Sequence, residues 1–499
     1  MTEAILEGVG RALAGPGPLI ILLGTVYGML VGVLPGISGA VGMILIVPVT
    51  FAWPLDHALL LFAAAWGGSS YGGAITAILI NIPGESTNAM TTLDGYPMAK
   101  QGRASEALGA SALATALGAT IGIVVLIATI PVLRSVVLFF GPAEFFALAL
   151  LGIAVIAFVS GESVVKGLFS GALGLLVGLH GFNPITGVSR FDFGTLYLQD
   201  GIPLFPVFIG MFAMAQAIEL AVHHRTVIDV AEQAPMAVSF AGFVRGMRAV
   251  FTHFGLFVRS SIIGTIVGAI PGPGGAVATF LAYGHAVATA KDKSGFGKGD
   301  IRGVIAPEAS NDAKDGGSLM PTLAFGVPGT VASGVMLLAL QFHGVRVGPE
   351  LLGPNLALVF VLLTSLFASN WITSIIGLLL ARWLAKLSIV PTTMISAVVI
   401  VTSVAGALAT RGLFEDVLVM LAFGVVGYLF ILRKVPIVPM VIALLLVKVL
   451  ETSLNQVLQI GDGSPALLWT RPISLVLLVA IALIVASPLI RPALRSIRR

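Results

Sequence analysis

The sequence predicts an all-α polytopic membrane protein of about 12 transmembrane helices, in two inverted repeats with discontinuous or re-entrant helices broken at Pro-Gly. Three observations carry this reading: composition, an internal duplication, and the placing of basic residues in loops. The 499 residues are 57% hydrophobic and only 10% charged, where soluble domains carry about 25% charged residues. Mean hydropathy is +1.04. Apolar stretches of spanning length, roughly 17 to 25 residues, recur from end to end. The clearest run from Leu108 to Leu133, Phe145 to Val159, Pro203 to Ala221, Leu356 to Leu380, Met394 to Ala409, Val417 to Leu432 and Ile473 to Ile490.

Other global features exclude rather than assign. No cysteine is present, so neither a disulfide framework nor a thiolate metal site is available. The 27 basic residues against 23 acidic ones read as membrane topology, not as a nucleic-acid surface. Met1-Thr-Glu-Ala-Ile-Leu-Glu7 lacks the basic region of a cleavable signal peptide, so the first apolar segment is expected to be retained.

The duplication starts with a cassette. Gly28-Met-Leu-Val-Gly32-Val-Leu-Pro35-Gly36-Ile-Ser38-Gly39 returns as Gly264-Thr-Ile-Val-Gly268-Ala-Ile-Pro271-Gly272-Pro-Gly274-Gly275. A Pro-Gly pair inside an apolar segment breaks a helix, because Pro lacks an N–H and Gly tolerates unusual backbone angles. A second matched motif follows in each half: Tyr71-Gly72-Gly73 leads to Asn81-Ile-Pro83-Gly84-Glu-Ser86-Thr87-Asn88, and Gly316-Gly317-Ser318 leads to Gly326-Val-Pro328-Gly329-Thr330-Val-Ala-Ser333. The spacing between the two motifs is longer in the second half, where the polar insert Lys291 to Asp300 falls.

Loop charges set the orientation. Lys291, Lys293, Lys298 and Arg302 lie between the motifs of the second half, while the matching loop of the first, around Trp53 to His57, has no Lys or Arg. Beyond the second motif the bias reverses, with Lys100 and Arg103 in the first half and Arg346 in the second. Basic loops favour the cytoplasm, so the halves point in opposite directions. The predicted organisation is a first transmembrane repeat over 18–222, a basic cytoplasmic connector over 223–250, a second, inverted repeat over 251–450, and a C-terminal span with a basic cytoplasmic tail over 451–499.

Paired interrupted helices in inverted repeats are a mark of secondary transporters. Free N–H groups at a half-helix N-terminus suit an anion, and free carbonyls at an opposing end suit a cation. The breaks at Pro35, Pro83, Pro271 and Pro328 are therefore expected to wall one central site. Gly28, Gly32, Gly264 and Gly268, at spacing four, read better as close-packing positions. Candidate substrate-binding residues are Gly36, Ser38, Gly39, Asn81, Gly84, Ser86, Thr87, Asn88, Gly272, Gly274, Gly275, Gly329, Thr330 and Ser333. Candidate cation-coupling residues are Glu308 and Asn311, with the breaks at Pro35 and Pro271. On spacing alone the charged stretch Glu308 to Asp315 reads as a solvated loop leading into a helix; at membrane depth it would be functional.

Three motifs in order resemble the large membrane subunit of the tripartite tricarboxylate transporter (TTT) family, from about Gly24 to Leu450: Gly32-x-Leu-Pro-Gly-x-Ser-Gly39; Asn81-Ile-Pro-Gly84 leading to Leu93-Asp94-Gly95-Tyr96-Pro97-Met-Ala-Lys100-Gln-Gly102; and Gly303-Val-Ile-Ala-Pro307-Glu308-Ala-Ser-Asn311 leading to Pro321-Thr-Leu-Ala-Phe-Gly326-Val-Pro-Gly329. The resemblance implies a multi-pass protein of the bacterial inner membrane that takes up a carboxylate, a tricarboxylate such as citrate or a related dicarboxylate or aromatic acid. It implies two partners, a small membrane subunit (TctB-like) and a periplasmic solute-binding protein (TctC-like). It also implies no bound cofactor and a co-transported Na⁺ or H⁺ as the drive; the sequence itself has no Gly-x4-Gly-Lys-Ser/Thr phosphate loop. Where the family continues with small uncharged residues after Glu308, this chain has Asp312, Lys314 and Asp315.

Two other classes stay open on residues alone. An ion channel can use broken helices in inverted repeats. A membrane-embedded enzyme needs positioned titratable groups, and the seven histidines form no His-Glu-x-x-His pattern.

Overall fold

The computed structural model describes the chain apart from residues 35–36, 160–162, 184–185, 223–238, 272–273, 388–390 and 498–499. Pro35, Gly36, Gly272 and most of the predicted connector thus lie outside the described residues, as do the side chains of the basic tail. The chain begins with α1 (Thr2–Leu13) and α2 (Gly17–Val33), bent by 75°. Then come α3 (Gly39–Ile46), α4 (Leu55–Ile80), α5 (Ala89–Lys100), α6 (Ala104–Leu138), α7 (Pro142–Val159) and α8 (Val164–Gly178). The short strands β1 (Gly181–Phe182) and β2 (Ser189–Arg190) pair antiparallel, and α9 (Leu196–Gln199) follows. A span over Leu204–Val222 joins α10 (Leu204–Phe208) to α11 (Ala215–Val222) through a π-helical turn.

The order then recurs. α12 (Phe240–Thr252) and α13 (Phe254–Ala269) form a second pair, bent by 78°. After them come α14 (Gly274–Thr289), α15 (Arg302–Phe325), α16 (Val331–Phe342), α17 (Pro349–Leu352), α18 (Leu356–Leu387), α19 (Thr392–Arg411), α20 (Phe414–Leu432) and α21 (Val438–Ile460). The chain closes with α22 (Leu467–Thr470) and α23 (Pro472–Ile497).

Among the described residues, seven helices are long and apolar enough to cross a membrane, or up to nine if each bent pair counts as one span. This count does not reach the expected number of about 12; the shorter apolar helices Gly39–Thr50, Pro142–Phe158, Val164–Gly178, Val331–Phe342 and Pro472–Ala486 fall below spanning length. α15 is long enough but too polar to be counted, because it carries Glu308, Asp312, Lys314 and Asp315.

That helix also corrects the reading of the charged stretch. Glu308 to Asp315 is no solvated loop; it lies inside α15, and every residue from Gly303 to Leu319 is buried. α4 is equally enclosed, buried from Ala58 to Ile80. These two helices form the centre of the molecule. α4 packs on α2 and α18, and α15 packs on α13 and α6. The same exchange recurs outside: Leu204–Val222 packs on α19 and α20, while α21 packs on α7 and α8. On the outer surface, α18 to α20 expose Leu379, Trp383, Val398, Val401 and Leu418, as helices facing lipid do.

Glycines set the central contacts. A Cβ on Gly28, Gly32 or Gly84 would stand 2.1, 2.0 or 1.9 Å from the carbonyl oxygens of Ala65, Ser69 and Gly32. A Cβ on Gly264, Gly268 or Gly329 would stand 2.3, 2.2 or 2.3 Å from those of Ser310, Lys314 and Gly268. Helices in a membrane gain nothing from exchanging lipid for an apolar neighbour, so such close backbone approach supplies much of their packing energy. The matched contacts also place Ser69 of α4 and Lys314 of α15 at equivalent positions.

Candidate functional site

The chain stops its two central helices in the same way. Asn81 (φ 58°) ends α4 and Gly326 (φ 70°) ends α15, both in the left-handed conformation that terminates a helix. A Pro two residues further on cannot restart the hydrogen-bonding ladder. Hydroxyls cap the short helix that follows α15 and the one that precedes α4. Thr330 and Ser333 form a reciprocal capping box on α16, and Ser38 accepts from the Val41 N–H at 3.4 Å to cap α3.

A cavity of about 370 Å³ opens between these ends. Ser38, Ser86, Thr87, Gly274, Gly275, Gly329 and Thr330 line it. The N-termini of α3, α14 and α16 therefore meet at one space, with residues of the Ser86–Asn88 turn. The positive ends of these helices favour an anion. At α3 one amide is already taken: the Gly39 N–H donates to Glu85 at 2.7 Å.

Other candidates lie outside the lining. Asn81 is exposed and serves as the α4 cap. Gly84 is packed against the Gly32 carbonyl. Ser333 is buried in its capping box. Asn88 is buried, and its amide donates to the Ser70 carbonyl at 3.2 Å and to Glu308 at 3.5 Å. Pro271 follows the end of α13 and is half-buried.

Glu308 lies between α5, α6 and α15, away from the cavity lining. One carboxylate oxygen accepts from Thr91 and Asn88. The other accepts from Ser111 at 3.0 Å and Thr115 at 3.1 Å. Asn311 is also buried, and neither polar atom of its side chain has a partner. The same holds for Asn88 Oδ1 and Thr87 Oγ1. Buried polar atoms are normally bonded, so each of these has valence left for a ligand.

Sequence reasoning missed several lining residues: Trp66, Ser69, Ser70, Glu85, Phe212, Lys314 and Asp315. Lys314 is the one basic side chain among the described lining residues. Its Nζ bonds Asp315 at 2.8 Å and also donates to the Asn311 carbonyl. A signal for Asp315 existed: Glu308, Asn311, Asp312 and Asp315 fall on one helical face, at i, i+3, i+4 and i+7.

Comparison with known proteins agrees with this architecture. The family model described as "Tripartite tricarboxylate transporter TctA family" matches residues 19–442. An uncharacterized 52.8 kDa protein in the TAR-I ttuC' 3' region of Agrobacterium vitis is 32% identical over 478 residues, covering 95% of this chain and 93% of the relative. An uncharacterized protein in the TAR-II ttuC' 3' region of the same organism is 28% identical over 236 residues, covering 47% of this chain and 97% of the relative. The multi-pass helices, the central cavity and the match over most of the chain lead to one conclusion: this protein belongs to the tripartite tricarboxylate transporter TctA family, a family of membrane transport components.

Proposed function

We propose that the chain is the large subunit of an ion-gradient-driven uptake system that moves a carboxylate across the bacterial inner membrane by alternating access. The observation that carries this is a cavity where helix N-termini from both halves of the chain meet. Such termini bind an anion without a bound metal or cofactor. The recurring order of elements supports two repeats, 18–222 and 251–450, and the loop charges support their inversion, with the connector 223–250 and the C-terminus in the cytoplasm. A co-transported Na⁺ would draw on the unfilled oxygens of Asn311, Asn88 and Thr87, whereas a co-transported H⁺ would be carried by the Glu308 carboxylate. Glu308 would also hold Asn88 in place. A small membrane subunit and a periplasmic binding protein would complete the system.

The test is uptake by cells expressing the chain with its partner subunits, using labelled citrate, succinate and benzoate, with Na⁺ present or replaced by K⁺. Accumulation above the external concentration that collapses with the ion gradient supports the reading. Equilibration without accumulation would point to a channel, and absence of entry for every acid would refute carboxylate transport.

A further inference from the structure

The cavity wall is unequal in charge. At equivalent positions on the two central helices stand Ser69 and Lys314, each facing a glycine in the first turn of the preceding helix, Gly39 of α3 and Gly275 of α14. A Cβ on Gly39 would stand 2.1 Å from Ser69 Oγ, and one on Gly275 would stand 2.3 Å from Lys314 Cε. The lysine stem therefore runs over Gly275 and past Thr87, whose Cγ2 would be 2.5 Å from that same Cβ. The ammonium reaches a wall that also holds Asp315 and Glu85. With both acids ionised, the charged side chains of the lining sum to one excess negative charge, so each further carboxylate brought in meets repulsion that only the partial charges of the helix N-termini offset.

Beside the hydroxyls, the lining holds an apolar patch. Phe212, Val331, Val438 and Ile442 line the cavity and together also enclose a small neighbouring void with Phe208 and Leu445. Trp66 adds an aromatic face to the lining. The site thus offers one ammonium, several hydroxyls and an apolar wall.

We propose that Lys314 exchanges Asp315 for the carboxylate of the substrate, and that the cavity selects a monocarboxylate with an apolar body over a tricarboxylate. This rests on the carboxylate reading above and narrows its substrate class. Lys314 is a specificity-determining residue in this scheme, and Asp315 is the counter-ion that holds it when the cavity is empty. No covalent step is involved.

The experiment measures thermal unfolding of the purified full chain in detergent against rising benzoate or citrate, for the natural sequence, Asp315→Asn, and the double variant Lys314→Gln/Asp315→Asn. The double variant removes the ion pair as a unit, so Asp315 is not left as an unpaired buried charge as it would be if Lys314 alone were lost. Asp312, already buried without a bonded partner, is the acid that remains, and the Asp315→Asn and Phe212→Ala variants keep the ammonium beside it. Benzoate is expected to raise the midpoint at lower concentration than citrate. Losing a charge-assisted bond should weaken benzoate roughly tenfold or more in the double variant, and Asp315→Asn, with its ammonium released, should bind benzoate more tightly. Phe212→Ala, at the apolar wall, should weaken benzoate and leave citrate unchanged. Citrate stabilising better than benzoate, or benzoate binding equally to the double variant, would overturn this inference and leave carboxylate transport standing. No response to any acid would overturn both.

Discussion

Glu308 should behave as a structural joint, and its replacement gives a graded loss. Its two oxygens collect four donors from three other segments: Thr91, Asn88, Ser111 and Thr115. In Glu308→Gln the volume is kept and one oxygen still accepts. The two hydroxyls facing the new amide can rotate to accept from it, so the expected cost is about 1–2 kcal/mol. In Glu308→Ala no acceptor remains and a void is added. Each hydroxyl can fall back on a carbonyl of its own helix, and the Asn88 amide keeps its bond to the Ser70 carbonyl with one N–H left over, so the expected cost is about 3–5 kcal/mol. The assay is unfolding in detergent by graded SDS, followed by tryptophan fluorescence from the five tryptophans. A Glu308→Ala protein within about 1 kcal/mol of the natural one would refute the joint. If Glu308→Gln folds normally yet loses ion-coupled uptake, the residue acts in coupling and the purely structural role fails.

Two further outcomes follow from local geometry. Gly28→Ala places a methyl 2.1 Å from the Ala65 carbonyl oxygen, whereas Gly284→Ala in α14 meets nothing within 4 Å; the first should cost about 1–3 kcal/mol and the second should gain up to about 1 kcal/mol in the same unfolding assay. In the loop before α15, partial burial pushes the Asp300 carboxyl up, but the Arg302 side chain and backbone N–H more than offset this and hold it below its ordinary value. A carboxyl lowered in the folded state stabilises above its unfolded pKa and loses that contribution as pH falls through the folded value. Acid titration of stability below about pH 4 should accordingly flatten in Arg302→Ala; an unchanged acid limb would rule this out.

The parts of the site legible in the sequence were those built by chain breaks. Pro-Gly pairs announce themselves because few other residues end a helix inside an apolar stretch, and several of the residues beside them, Ser38, Gly275 and Thr330 among them, do line the cavity. What stayed hidden was the other wall. Asp312, Lys314 and Asp315 looked solvated because charge is rarely buried. Only the fold shows that Lys314 and Asp315 bond each other inside a buried helix. Asn81 misled in the opposite sense: its amide beside a Pro-Gly pair looked like a ligand, but its left-handed backbone and exposure make it a stop signal. The number of spans is not fixed by apolarity for a related reason, since short helices such as α3 and α16 are as apolar as crossing ones.

The crossed packing of the two halves has a bearing on biogenesis. α4 leans on α18, and α7 and α8 lean on α21, so much of what the ribosome delivers first has to wait in the bilayer for partners made long afterwards. Contacts of such long sequence separation are slow to form. A half made alone would present unclosed faces to proteases and chaperones, and the two halves supplied as separate polypeptides would assemble only as a pair.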